Sequence, residues 1–282
     1  MVIYGSGGEM DYEGLRETAR EMRINILRMI HCAKSGHTGG SLSAADLMTA
    51  LYFHVMEHRP GEPEWPGRDR FVLSKGHAAP ALYSALAMRG YFDAKELMTL
   101  RRLNSRLQGH PDMLRTRGVN ASSGSLGQGL SIANGIAMGL RLDGNEAAVF
   151  VMLGDGENQE GQVWEAAMTA AHFRLGKVLA IVDNNGLQID GAVKDVMGIE
   201  PLAQKWDSFG WDVETVDGHD FGRIIPALLR VRKKGLHDRP SVVIARTIKG
   251  KGASVFEGKA KYHGVAPSDQ ELEAALQELG EV

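Results

Sequence analysis

Apolar positions along the chain follow two rhythms. From Tyr12 to Ala33 they recur every three or four residues, with Leu15, Ala19, Met22, Ile26 and Met29 near one face, which predicts a long amphipathic helix. Elsewhere short strand-like segments lie at Arg70 to Ser74, Trp211 to Val216 and Ser241 to Arg246, and unbroken apolar runs at Ala147 to Leu153 and Val178 to Val182. Such runs read as strands buried on both faces, the habit of parallel sheets. Helical patterns lie between them. Ser43 is placed to N-cap a helix through His54, Pro80 falls in the first turn of a helix from Ala78 to Met88, and Ala94 to Leu103 reads as another. Further helices run from the glycine-rich 122–129 segment to Leu142, from Gly161 to Phe173 with Trp164, Ala167, Met168 and Ala171 as its stripe, near Pro201 to Phe209, and up to Lys233. Ser268 and Glu271 have capping-box spacing at the head of a last helix. Strand and helix alternate throughout, so the expected class is α/β: a doubly wound, mainly parallel sheet with helices on both faces. Residues 1–10 read as a flexible N-terminus and 11–282 as a single domain.

Two of the apolar runs stop abruptly in acid, amide and glycine, at Gly154-Asp155-Gly156 and at Asn184-Asn185. Open α/β sheets bind ligands at the carboxyl ends of their strands. Asp155 and Asn185 can therefore converge on one hard cation, while Gly154 and Gly156 let backbone N–H groups approach a phosphate. Asp-Gly and Asn-Gly are also ordinary turn formers, and that plainer reading stands beside the first. Histidines repeat the pattern. His37, His77 and His110 each follow a glycine, and His263 precedes one. Imidazoles on loops around a phosphate site can donate to anionic oxygens and move protons near neutral pH. Zinc is disfavoured, because no Cys or His pair has ligand spacing. His31, His54, His58, His172, His219 and His237 read as structural.

Composition narrows the partners. A net charge of −3 over 282 residues provides no attraction to nucleic acid or to an anionic membrane. No apolar run approaches the length of a membrane span, and no signal peptide is visible. The single cysteine, Cys32, excludes an internal disulfide and, lying in a helical pattern, reads as a small buried hydrophobe. A cytoplasmic setting is the expectation. The 35 glycines sit mostly beside polar residues in loops, which points to tight turns and close approach to a ligand.

The loop motifs together resemble one family. Gly154-Asp155-Gly156 followed by Asn184-Asn185 looks like the thiamine-diphosphate fingerprint. Ser35-Gly-His-Thr-Gly-Gly40, Ser74-Lys-Gly-His77, Gly109-His-Pro-Asp112, Gly124-Ser-Leu-Gly-Gln-Gly129, Gly156-Glu-Asn-Gln-Glu-Gly161, Ile248-Lys-Gly-Lys-Gly252 and His263-Gly-Val-Ala-Pro267 resemble transketolase loops, in transketolase order. The resemblance covers nearly the whole chain. It implies a thiamine-diphosphate-binding fold of the diphosphate-binding (PP) type. It implies that Asp155, Asn185 and the Leu187 carbonyl ligate Mg²⁺ or Ca²⁺, that Gly156, His77 and His263 contact the diphosphate, and that Gly124 and Leu126 lie against the cofactor rings. His37, His110 and His263 would hold the sugar's hydroxyls and assist proton transfer, and Glu160 would face a subunit interface. Two departures stand out: Thr38 and Ser125 occupy positions where transketolases often carry proline.

Transketolases activate the cofactor with a glutamate from a second, pyrimidine-binding domain, and no such domain follows here. The resemblance therefore implies the amino-terminal subunit of a split transketolase, joined to a separate C-terminal transketolase subunit in a heterotetramer. That assembly would pass a two-carbon ketol unit from a ketose to an aldose, as sugar phosphates or related sugars. Alternatives remain open at this point: a dihydroxyacetone or deoxyxylulose synthase type of transferase, the α subunit of a 2-oxoacid dehydrogenase, or a noncatalytic module of the same fold. Lys249, Lys251, Lys259 and Lys261 form a basic loop that reads either as a greeting for an anionic sugar or as a solvated lid.

Overall fold

The apolar runs become five parallel strands, paired side by side in a computed structural model that describes residues 10–281. Residues 1–9, most of the expected flexible N-terminus, lie outside the described residues. The chain begins with α1 (Tyr12–Ala33), α2 (Thr38–Ser43) and α3 (Ala45–Ala50), then forms β1 (Arg70–Leu73). α4 (Ala79–Met88) and α5 (Gln128–Leu142) lead to β2 (Val149–Gly154), and α6 (Gly161–His172) leads to β3 (Val178–Asn184). A small antiparallel ribbon of β4 (Leu187–Gln188) and β5 (Gly191–Ala192) precedes α7 (Val193–Val196) and α8 (Leu202–Ser208). β6 (Asp212–Asp217), α9 (Phe221–Leu229), β7 (Ser241–Arg246) and α10 (Asp269–Glu278) complete the path.

The order across the sheet is β1-β2-β3-β7-β6. Alternate side chains leave on opposite faces, so each run feeds two cores. Phe150, Met152, Leu179 and Ile181 pack toward α1, α3, α4, α9 and α10. Val149, Val151, Leu153, Val178, Ala180 and Val182 pack toward α5, α6 and α8. Every residue of β2 from Val149 to Leu153 has no exposed surface, and each such large apolar side chain contributes about 2 kcal/mol of burial. No helix among the described residues is long and apolar enough to cross a membrane.

Helix ends follow local chemistry where it is strong. Asp11 caps α1 through the Gly14 amide at 2.8 Å, and Lys34 closes it in the left-handed region. The capping box at Ser268 and Glu271 is present in both directions. Three expectations need correction. Ser43 is not an N-cap: the helix begins at Thr38, and the Ser43 hydroxyl is turned inward to Gly40 and Asp183. Residues 94–103 form only a short 3₁₀ segment, Ala94–Thr99, after which Arg101 and Asn104 adopt positive φ. The buried face of α6 is Val163, Ala166, Ala167 and Ala170, one step round from the expected stripe, and Met168 is exposed.

Candidate active site

β2 and β3 are paired so that Gly154 lies opposite Asp183. This register sets the loops after the two strands side by side at the carboxyl edge. The buried Asp155 carboxylate spans them, accepting from the Gly156 amide at 2.8 Å and from the Gly186 amide at 2.5 Å. Burial and the neighbouring Asp183 push its carboxyl up to about 6. Asn185 Oδ1 accepts from the Leu187 amide at 3.1 Å.

Beneath these loops lies a floor of buried charge. Asp183, with no exposed surface, accepts from the Lys75 ammonium, from the Ser43 hydroxyl at 2.6 Å and from the Thr247 hydroxyl. Burial alone pushes its carboxyl up, but Lys75 and the two hydroxyls outweigh burial and hold it below the ordinary value. Lys75 also donates to the Gly40 carbonyl at 3.0 Å. Glu157, 3% exposed, ties three loops together. It accepts from the Ser74 hydroxyl, from the Gly127 amide at 2.8 Å and from the Gly154 amide at 3.0 Å. Burial pushes its carboxyl up against the pull of these donors. Gly76 makes the meeting of loops possible, since a Cβ there would stand 2.8 Å from the Gly124 nitrogen.

The four glycine-flanked histidines converge above the floor. The His37 ring centre lies 5.2 Å from His77, 5.4 Å from His263 and 6.4 Å from His110, and His77 lies 5.2 Å from His263. Burial, Arg101 and the other nearby cations bring His37 down to about 4. Burial and Lys249 bring His263 down to about 3. His77 is lowered by burial and Lys75, and His110 by burial and Arg101. All four are thus neutral at pH 7, each with one donor and one acceptor nitrogen. His37 Nδ1 is buried with no partner among the described residues. Lys249, 2% exposed, reaches the Leu187 carbonyl at 3.0 Å and His263 Nδ1 at 2.9 Å. Burial and Lys75 bring its ammonium down to about 8.

Between the acidic floor and the imidazoles is a cavity of about 210 Å³. His77, Leu126, Gly154, Asp155, Gly156, Glu160, Asn185 and Leu187 all line it. His37 and His263 reach it through His77 and Lys249, and His110 packs on Gly124, where a Cβ would stand 3.2 Å from its ring. Glu160 is exposed at the rim. Every residue singled out from the sequence is therefore in one neighbourhood. Lys75, Glu157 and Asp183 were not singled out, although for Asp183 a charge directly after a buried apolar run was a usable signal. The basic loop divides: Lys249 points into the cavity, while Lys251 pairs with Glu257 at 3.4 Å, Lys261 with Glu271 at 3.7 Å, and Lys259 donates to the Val255 carbonyl at 2.8 Å. Among the described residues no three His, Cys, Asp or Glu side chains form a metal-holding group.

Comparison with known proteins identifies the family. Residues 15–281 match the family described as Transketolase, thiamine diphosphate binding domain. The chain is 44% identical over 265 residues to the 6-deoxy-6-sulfo-D-fructose transketolase subunit of Clostridium sp. (strain MSTE9), covering 94% of this chain and 96% of that one. It is 38% identical over 272 residues to an apulose-4-phosphate transketolase subunit of Phocaeicola vulgatus, covering 96% of each. Among solved structures, the transketolase of Campylobacter jejuni superposes with a TM-score of 0.89 at 34% identity, covering 96% of this chain and 43% of that chain. The chain thus spans less than half of that solved enzyme and nearly all of the two subunits.

Proposed function

The chain belongs to the transketolase family, and on that premise we propose that it is the amino-terminal, diphosphate-binding subunit of a two-chain transketolase. The observation that carries the reading is the clustering of His37, His110 and His263 around one another and around His77, which lines the cavity together with Asp155 and Asn185. Residues 11–282 act as one unit, in the cytoplasm, and pair with a chain carrying the pyrimidine-binding domain. The assembly is a heterotetramer of two such chains and two partners.

The residues present fit Mg²⁺ and a diphosphate. Asp155 is buried and, among the described residues, forms no ion pair, its bonds being to the Gly156 and Gly186 amides, and the Leu187 carbonyl already presents a lone pair to a cation, the Lys249 ammonium. With the Asn185 amide oxygen these give the hard oxygen donors that Mg²⁺ prefers. Across the cavity Lys75, Lys249 and the imidazoles of His77 and His263 supply positive charge and N–H donors for phosphate oxygens, with the Gly156 amide close by. His37 Nδ1 is buried without a hydrogen-bond partner among the described residues, beside the His77 ring that lines the cavity. Bound thiamine diphosphate supplies the electron sink for a two-carbon fragment. This chain's part is to hold the cofactor's tail, to bind the ketose hydroxyls through His37, His110 and His263, and to move protons between neutral imidazoles and those hydroxyls. Glu160, at the rim, faces the partner. The names of the two subunit relatives support an anionic ketose, phosphorylated or sulfonated, as donor.

Calorimetric titration of the purified chain with thiamine diphosphate, with and without MgCl₂, tests the binding. Mixing with the pyrimidine-binding partner then tests transfer from a ketose phosphate to an aldose phosphate. Binding that needs Mg²⁺, and transfer that needs the partner, are expected. Full transfer by the isolated chain would refute the two-chain reading, and no binding with or without the partner would refute the site.

A further inference from the structure

A second buried network lies beside the cavity, outside the residues that line it. Arg23 on α1 grips Asp46 on α3 with both terminal nitrogens, at 3.0 and 2.6 Å, and the two side chains are each 8% exposed. Asp46 Oδ2 also meets His219 Nδ1 at 2.6 Å. The far side of that ring, Nε2, accepts the Ile248 amide at 2.9 Å. Nε2 can accept only if it carries no proton, so the hydrogen sits on Nδ1 and points at Asp46. Arg23 closes the circuit by donating through Nε to the Lys251 carbonyl at 2.9 Å.

The circuit holds the turn that follows β7. Backbone bonds fix its other positions: the Thr247 amide to the Asn184 carbonyl at 3.1 Å, the Gly250 amide to the Gly39 carbonyl at 3.0 Å, and the Gly258 amide to the Lys249 carbonyl at 2.9 Å. The Ile248 amide is anchored by a side chain, and that side chain is His219. The next residue is Lys249, whose ammonium spans the Leu187 carbonyl and His263.

We propose that His219 is a positioning residue that acts through Lys249: locked between Asp46 and the Ile248 amide, it sets the turn that delivers the Lys249 ammonium to the diphosphate end of the cavity. The inference rests on the reading of that cavity as a diphosphate site. His219 lies in Asp217-Gly-His-Asp220, a segment outside the cavity lining. Asp46 and Arg23 hold the ring, and the ring holds the amide. An imidazole suits the task because it is rigid and carries a donor and an acceptor on opposite edges. A glutamine amide can offer the same pair, and leucine offers neither.

The test is a double-mutant cycle read as affinity for thiamine diphosphate with MgCl₂, followed by tryptophan fluorescence of the full chain. Trp164 and Trp206 report on the site, because their ring nitrogens bond the Asn158 carbonyl at 2.9 Å and its side-chain oxygen at 3.1 Å in the loop after Asp155. His219→Leu is expected to weaken binding about tenfold, the scale of one misplaced charged hydrogen bond, and His219→Gln to recover most of it. In a Lys249→Ala background His219→Leu is expected to change affinity less than about twofold, because the residue it acts through is gone. Additive losses in the double variant would overturn the proposal, as would wild-type affinity in His219→Leu. If His219→Leu unfolds, the cycle is run with His219→Asn, whose shorter amide cannot span Asp46 and the Ile248 amide and whose loss must likewise vanish without Lys249. Failure of the wild-type chain to bind thiamine diphosphate is a separate outcome and would reject the site itself.

Discussion

On the acidic side of the cavity the partners are already in place. Asp183 has an ammonium and two hydroxyls, Glu157 has a hydroxyl and two amides, and Asp155 has two amides. On the imidazole side the His37 ring stands 5.2 to 6.4 Å from the other three, and its buried Nδ1 has no partner among the described residues. Burial depresses every one of those rings, and nearby cations depress them further. The contrast separates two uses of polar groups. The acidic side spends its hydrogen bonds on holding loops together, so it is formed before any ligand arrives. The imidazole side leaves His37 Nδ1 buried and unpaired among the described residues, which costs stability.

The largest effect should come from the floor. Asp183→Ala leaves the Lys75 ammonium buried without its counter-charge, and breaking such a pair costs about 3–5 kcal/mol. Urea unfolding of the variant reads this directly. A loss under about 1 kcal/mol would break the view that the acidic side is preformed. Next in size is Asp155→Ala, which should lower the Mg²⁺-dependent affinity for thiamine diphosphate about 100-fold, or about 2.7 kcal/mol. Calorimetry checks it. Unchanged affinity would move the metal away from Asp155.

The same contrast explains what could be read from residues alone. β2 and β3 were legible because each is an unbroken apolar run, and the ends of α1 and α10 because caps are local chemistry. The partner residues of the His loops were visible too, since glycine beside histidine marks a loop that must come close to something. The buried ion pairs were not. Asp183 and Lys75 are 108 residues apart in the chain, and nothing near either one names the other. The error at Ser43 has the same origin. Its hydroxyl answers to Asp183 across the fold, and α2 starts earlier, on glycines that local propensity would not choose. Gly39 is there for packing: a Cβ would stand 2.8 Å from Lys249 Cγ and 3.2 Å from the Tyr262 carbonyl oxygen. Residues 94–103 misled for a related reason, because a helical pattern gave way to a turn with Arg101 at positive φ, its amide bonded to the Leu107 carbonyl at 2.8 Å.

A substitution on the imidazole side should behave differently from one on the floor. His37→Asn in the assembled enzyme is expected to lower kcat/KM for ketol transfer about 10- to 100-fold, the range for removing a proton-handling group. Stability and cofactor affinity should stay close to wild type. Steady-state kinetics alongside the binding titration separates the two readouts. Parallel losses in both would place His37 with the structural residues.

The smallest effect is a matter of pH, and its sign differs between the two sides. His37 sits at about 4 and His263 at about 3 in the folded chain, both below the ordinary 6.5. The unfolded chain therefore binds more protons in that interval. The stability each ring contributes is present above pH 6.5 and is lost as pH falls toward its folded value. Asp155 runs the other way, because its folded value of about 6 lies above the ordinary 3.8. Its contribution is present below pH 3.8 and is lost as pH rises through 6. For the ligand-free chain, unfolding measured from pH 7 down to pH 4 should show a loss of about 1 kcal/mol per imidazole after solvent screening, partly offset by Asp155. His37→Gln should make the acid limb shallower. Asp155→Asn removes the opposing contribution and should make it steeper. If both variants shift the limb in the same direction, the two sides of the cavity do not carry opposite electrostatic burdens, and the contrast between them fails.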